Sequence, residues 1–163
     1  MVALGSRARG AGRVYLTGGS SAVLIGWRGS TVDVDLKLDP EPAGAFEAIG
    51  RLKDELGLNV ELASPDDFIP VLAGWDARSQ FIERHGAIDF YHFDFPSQAL
   101  AKIERGHHQD LEDVKEMVRR GLVTRAELRE TFDQIRPLLI RYPAIDVDAF
   151  RDKVERALAE DSP

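Results

Sequence analysis

The run LTGGSSAVLIGWRGSTVDVDLKL, Leu16 to Leu38, constrains the fold more than any other stretch of this chain. Val14, Tyr15 and Leu16 read as a short strand. Gly18 and Gly19 break it, and Ser20 or Ser21 is placed to cap a helix running through Trp27. Thr31 to Leu38 then alternates as a second strand. Successive side chains on a strand point to opposite faces, so Asp33 and Asp35 share a face, with Cα atoms roughly 6–7 Å apart. Val32, Val34 and Leu36 take the other face, which suits a core.

Two carboxylates on one face repel each other unless a cation compensates them. Hard oxygen ligands favour Mg²⁺ or Mn²⁺, with water and substrate phosphate completing the shell. One or two such ions lower the pKa of an attacking hydroxyl and neutralise phosphate charge. Asp33 and Asp35 are therefore the candidate metal ligands. The glycine pair lets the backbone approach an anion closely, and Gly19 with the amides and hydroxyls of Ser20 and Ser21 can donate to phosphate at a helix N-terminus. Arg28 and Thr31 lie between the turn and the acids. Taken singly, the turn reads equally as a helix cap and the acids as a half-exposed strand. Joined by one helix, they point to nucleotide chemistry.

The chain has 163 residues, 44% of them hydrophobic, which fits one α+β domain with a helical appendage. It has no cysteine, which excludes disulfides and thiolate chemistry. No apolar run approaches 20 residues and the N-terminus carries no secretory pattern, so a cytoplasmic protein without membrane contact is expected. A net charge of -7 argues against a general nucleic-acid coat. The charge is uneven, however: acids crowd residues 33 to 67, and arginines recur at 105, 119, 120, 125, 129, 136 and 141.

The segment order places a flexible arm over residues 1 to 12 and a core over 13 to 105. A helical segment over 106 to 163 then completes the active site. Further strands are expected at Asn59 to Ala63 and within Gly86 to Pro96, with a helix from Ala43 to Leu56 between. Helices follow at Ser97 to Arg105, Gln109 to Arg120, Thr124 to Ile135 and Asp146 to Ala159. Thr124 and Glu127 match a capping box. Strands early and helices late make an α+β arrangement with a small mixed sheet.

A second cluster lies at Lys102 and the run HHQDLEDV, residues 107 to 114. Asp110 and Asp113 share one helical face. A lysine facing a triphosphate draws charge off the leaving pyrophosphate, and an adjacent aspartate orients it or completes a metal shell. Asp113 reads equally as an acid favoured near a helix N-terminus. His107 and His108 point in different directions and read as a solvated helix start. Asp89 is the leading candidate for a third metal carboxylate, ahead of Asp94. The aromatics of the 86 to 96 segment read as core.

GGSSAVLIGWRGSTVDVDL resembles the first motif of the MenT and AbiEii nucleotidyltransferase-like toxin families. The run from Lys102 to Val114 is similar to their second block, and the resemblance covers about residues 14 to 120. It implies a polymerase-beta-like nucleotidyltransferase core and the toxin of a toxin–antitoxin pair. Such a toxin adds nucleotides, often pyrimidines, from NTP to the 3′ end of tRNA, and a cognate antitoxin opposes it. By position, Asp33 and Asp35 would hold Mg²⁺, Ser20 or Ser21 and Lys102 the phosphates, and Asp110 would complete the set. Thr31 would be a site of silencing phosphorylation. The chain departs from the pattern at His107 and Gln109, where basic residues are usual, and it is short for the group. Other outcomes in the same fold are transfer to a protein hydroxyl or a small antibiotic, or a catalytically inactive binding module.

Overall fold

The two alternating segments beside the glycine pair become neighbouring strands of a five-stranded sheet. The computed structural model describes residues 1–159. Its strands are β1 (Gly12–Thr17), β2 (Asp33–Leu38), β3 (Asn59–Glu61), β4 (Gln80–His85) and β5 (Ile88–His92), in the order β3-β2-β1-β5-β4. β1 runs antiparallel to β2 and parallel to β5; β2 and β3 are parallel, and β4 and β5 are antiparallel. The sheet is mixed, and helices dominate the C-terminal part, as the segment order predicts.

The chain divides into two compact units. The first comprises Met1–Ser64 and Asp76–Phe93, and the second Pro65–Trp75 with the chain from Asp94 onward. This differs from the expected bounds of 13–105 and 106–163. Helix α5 (Phe95–Arg105) belongs with the later helices, because it packs against the three helices that follow it.

In the first unit, one sheet face carries Val14, Leu16, Leu36, Ile88 and Phe90. It packs against Leu4 of α1 (Val2–Arg7) and against Ala48, Ile49 and Leu52 of α3 (Ala45–Leu56). Burying each large side chain contributes about 1.5–3 kcal/mol. The flexible arm expected over residues 1–12 is therefore a helix and the start of β1. Gly5 explains how α1 lies so close: a Cβ there would collide with the main chain of His85. The opposite face carries Arg13, Tyr15 and Thr17 of β1 beside Lys37 and Asp35 of β2, and Asp89 and Tyr91 of β5.

In the second unit, α5 packs with α6 (His108–Arg119), α7 (Arg125–Ile135) and α8 (Val147–Ala159). Phe150, Val154 and Leu158 form an inward stripe on α8 at helical spacing, and Phe150 meets Phe132 edge-on at 5.0 Å. The capping box at Thr124 and Glu127 is present in both directions. The 3₁₀ turn Pro65–Asp67 is held to this unit by the Tyr142 hydroxyl, which donates to the Asp66 carbonyl at 2.9 Å. Among the described residues, no helix is long and apolar enough to cross a membrane.

Candidate active site

Helix α2 (Gly18–Ile25) starts at the glycine pair, three or four residues earlier than the serine cap predicts. Thr17 is the N-cap, with extended backbone, and Ser20 and Ser21 lie inside the first turn. The helix stops at Ile25, short of Trp27, because Gly26 turns left-handed at φ 94°. The two serines separate in role. Ser21 is fully buried and donates to the Leu16 carbonyl at 3.1 Å. Its oxygen also lies 2.9 Å from His92 Nδ1. The hydroxyl proton is committed to Leu16, so His92 Nδ1 donates to Ser21 and Nε2 is the acceptor nitrogen. Burial pushes His92 down to about 4, so the ring is neutral at ordinary pH. Ser21 thus locks α2 to the sheet and does not face a ligand. Ser20 is 7% exposed, and its hydroxyl has no hydrogen-bond partner. A buried hydroxyl left unpaired costs free energy, and this one lies in the first turn of α2, where anions are favoured.

The turn is pressed against the acids of β2. Gly18 has φ +58°, and a Cβ there would lie 3.0 Å from Asp35 Oδ2. A Cβ on Gly19 would overlap the Thr31 hydroxyl and come within 3.5 Å of Arg28 Nη1. Only glycine allows this approach. Thr31 itself donates to the Asp33 carbonyl at 2.9 Å, fixing the entry into β2. Gly19, Ser20, Arg28, Thr31 and Asp35 therefore belong to one neighbourhood.

Asp33 and Asp35 share the sheet face that the alternation predicts, both half-buried. Asp33 pairs with Asn59 and Asp35 with Glu61 across the β2–β3 ladder. The Asn59 amide donates to Asp33 Oδ1 at 2.7 Å and to Glu61 Oε1 at 2.9 Å. Glu61 is the acid that sequence reasoning missed. The segment NVELA was read as a strand, but its register against β2 fixes which face Glu61 takes. Among the described residues, no three acids, histidines or cysteines are already gathered as a metal cage. A pair of carboxylates on one face, beside an orphaned hydroxyl donor, still fits Mg²⁺, which takes one or two carboxylates and leaves its other positions to water and phosphate.

Asp89 lies on the same face but far along it. Its register partner is Arg13, four residues from the Thr17 that pairs with Asp35. That is about 13 Å along the strand and two strand spacings across, too far to share an ion with Asp33. Arg84 also grips its carboxylate with two bonds of 2.6 and 2.8 Å. Hydrogen bonding to Arg84 holds Asp89 below the usual carboxylate range. Asp89 is a structural acid of the β4–β5 hairpin. Asp94 caps α5 by accepting from the Ser97 amide at 3.2 Å.

In the second unit, Lys102, Asp110 and Asp113 do come together. Lys102 Nζ donates to Asp110 Oδ1 at 2.9 Å and to Asp113 Oδ2 at 2.6 Å, and all three are buried. Arg105 forks onto Asp110 at 2.6 and 2.7 Å. Burial raises the Asp110 pKa, but the bonds from Arg105 and Lys102 outweigh it and the net shift is downward. Two cations meet two carboxylates, so the cluster is neutral within itself. Three arginines of the tail are also paired: Arg119 and Arg120 with Glu116, and Arg129 with Glu155. His107 and His108 are exposed at the start of α6.

A glycine turn at a helix N-terminus thus abuts a strand that carries two acids on one face, within an α+β fold. The chain belongs to the nucleotidyltransferase family of unknown function DUF6036, whose family model matches residues 7–155. Comparison with curated proteins returns no match, and neither does comparison with solved structures.

Proposed function

We propose that the chain transfers a nucleoside monophosphate from an NTP to the 3′-hydroxyl of tRNA, with release of pyrophosphate. The observation that carries the transfer is the close approach of Gly18 to the Asp35 carboxylate, on the face shared with Asp33: a Cβ at Gly18 would lie 3.0 Å from Oδ2. It sets an anion seat against a cation seat. Asp33 and Asp35 would hold Mg²⁺ or Mn²⁺, with Glu61 on the next strand as the added acid. The ion supplies neutralisation of phosphate charge and a lowered pKa for the attacking hydroxyl.

The chain's own groups do the rest. The α2 amides and the Ser20 hydroxyl donate to phosphate oxygens, and the Arg28 guanidinium stands beside the turn. By the resemblance of the second motif block, Lys102, held by Asp110 and Asp113, is the residue assigned to the nucleotide phosphates. The acceptor oxygen forms a bond to the α-phosphorus, the bond to the bridging oxygen breaks, and pyrophosphate leaves.

The acceptor, the pyrimidine preference and the role as a cytoplasmic toxin with a cognate antitoxin rest on the resemblance of the two motif blocks to MenT and AbiEii proteins. Thr31 suits the silencing role. Its hydroxyl packs over Gly19, so a phosphate there would fill the anion seat and repel Asp33 and Asp35.

The test is incubation of purified protein with Mg²⁺, total tRNA and each labelled NTP. The expected result is label on tRNA from at least one NTP, abolished in Asp33→Ala. Absence of transfer from all four contradicts the reading.

A further inference from the structure

The second unit holds a cavity of about 180 Å³ lined by Ile103, Gly106, Leu111, Lys153, Arg156 and Ala157. The lining combines the apolar side chains of Ile103, Leu111 and Ala157 with the cations of Lys153 and Arg156. Lys153 and Arg156 stand three apart on α8, on the flank of the inward Phe150–Val154–Leu158 stripe, so both are held at the cavity by a packed helix. Lys153 is fixed further by donating to the Glu104 carbonyl at the end of α5, with the Glu104 carboxylate 3.4 Å away. Glu104 therefore offsets part of its charge. Arg156 is exposed and has no ion-pair partner among the described residues. Other arginines of these helices, at 105, 119, 120, 129 and 151, are engaged by acids.

The geometry points to this cavity as a seat for one phosphate of the acceptor RNA strand, with its ribose against Ile103, Leu111 and Ala157. This inference rests on the reading of the chain as a nucleotidyltransferase acting on RNA. A guanidinium beside an anchored ammonium suits a phosphodiester, and the apolar part of the lining suits a sugar or base edge. The cavity also adjoins the proposed phosphate lysine. Lys102 and Ile103 are consecutive on α5, as are Asp110 and Leu111 on α6, so neighbouring faces of the same two helices serve the ion cluster and the cavity. In a chain of net charge -7, a local cationic seat is what holds a polyanion.

The experiment measures dissociation constants of the full chain for fluorescent tRNA and, separately, for ATP and CTP as free nucleotides. Wild type is compared with Arg156→Glu and Arg156→Gln. Arg156 is exposed, so both variants keep the fold, which circular dichroism and urea unfolding check. The expected result is tRNA binding weakened about tenfold in Arg156→Glu, less in Arg156→Gln, with a salt slope lower by about one. Nucleotide affinity stays unchanged. Equal tRNA affinity in all three proteins overturns the cavity, as does a loss confined to free nucleotide. Label transfer is scored in parallel. Transfer to tRNA with no effect of Arg156 overturns the cavity alone. No transfer by wild type, with tRNA binding still dependent on Arg156, overturns the function and supports the cavity.

Discussion

Asp33 and Asp110 are both aspartates that the sequence motifs single out, and their surroundings differ in kind. Asp33 sits half-buried on an open sheet face, where its bonded partner is the neutral amide of Asn59. Asp110 is buried and gripped by two cations, Lys102 and Arg105. The first arrangement keeps negative charge on the surface for something outside the chain to meet. The second is compensated within the chain, so its value lies in shape and orientation. The rule that follows is that an acid's counter-charge, rather than its motif position, separates a metal ligand from a positioning group. Asp89, with Arg84 forked onto it, falls on the structural side by the same rule.

The strongest way to break this contrast is to remove the cation from the buried cluster. Lys102→Met removes the ammonium that Asp110 and Asp113 share in a buried setting, and should cost roughly 3–5 kcal/mol in urea unfolding. Asp33→Ala, made on the open face, should cost under about 1 kcal/mol. Equal losses would erase the distinction.

The pH dependence of stability sharpens it. His92 is lowered from 6.5 to about 4 by burial, so the unfolded chain takes up a proton before the folded one does. Stability is thus complete above about 6.5 and falls as pH drops toward 4, by roughly 3 kcal/mol from this group. Asp110, also depressed, adds a loss at lower pH: its contribution is present above the unfolded value of about 3.9 and disappears as pH falls through the folded one. His92→Asn should flatten the slope between pH 6.5 and 4 and leave the acid limb, read by urea midpoints across pH.

Gly19→Ala tests the packed turn. A Cβ there meets Thr31, so about 1–3 kcal/mol of stability should go, together with nucleotide affinity. Gly19→Ala combined with Thr31→Ala should recover part of the stability. The smallest effect belongs to a feature remote from both acids: Thr124→Ala removes one capping bond of α7 and should cost about 1 kcal/mol with nucleotide binding unchanged.

The helical half of the fold was legible because its punctuation is local. Gly106, Gly121 and the Thr124–Glu127 pair mark helix ends within one turn of sequence, and α5 to α8 lie within one or two residues of expectation. β4 escaped notice because RSQFIERHG mixes charge with weak alternation, as an edge strand with a register shift at Phe81/Glu83 will. Helix α1 escaped because its apolar residues are few, and its stability comes from packing against α3 and β4. In the site, the shared face of Asp33 and Asp35 follows from strand alternation alone. The inward turn of Ser21, the distance to Asp89 and the approach of Glu61 depend on registers between strands far apart in sequence. No local pattern encodes those.

The central claim is that Asp33 and Asp35 hold the metal ion for the proposed nucleotide transfer. Label transfer from each NTP to total tRNA, with Mg²⁺ and then with EDTA, tests it most directly in wild type, Asp33→Ala and Asp35→Ala. The account predicts transfer that EDTA stops and that falls at least about a hundredfold in either variant, with both variants folded. Transfer that persists in EDTA, or in both variants at the wild-type rate, would contradict it.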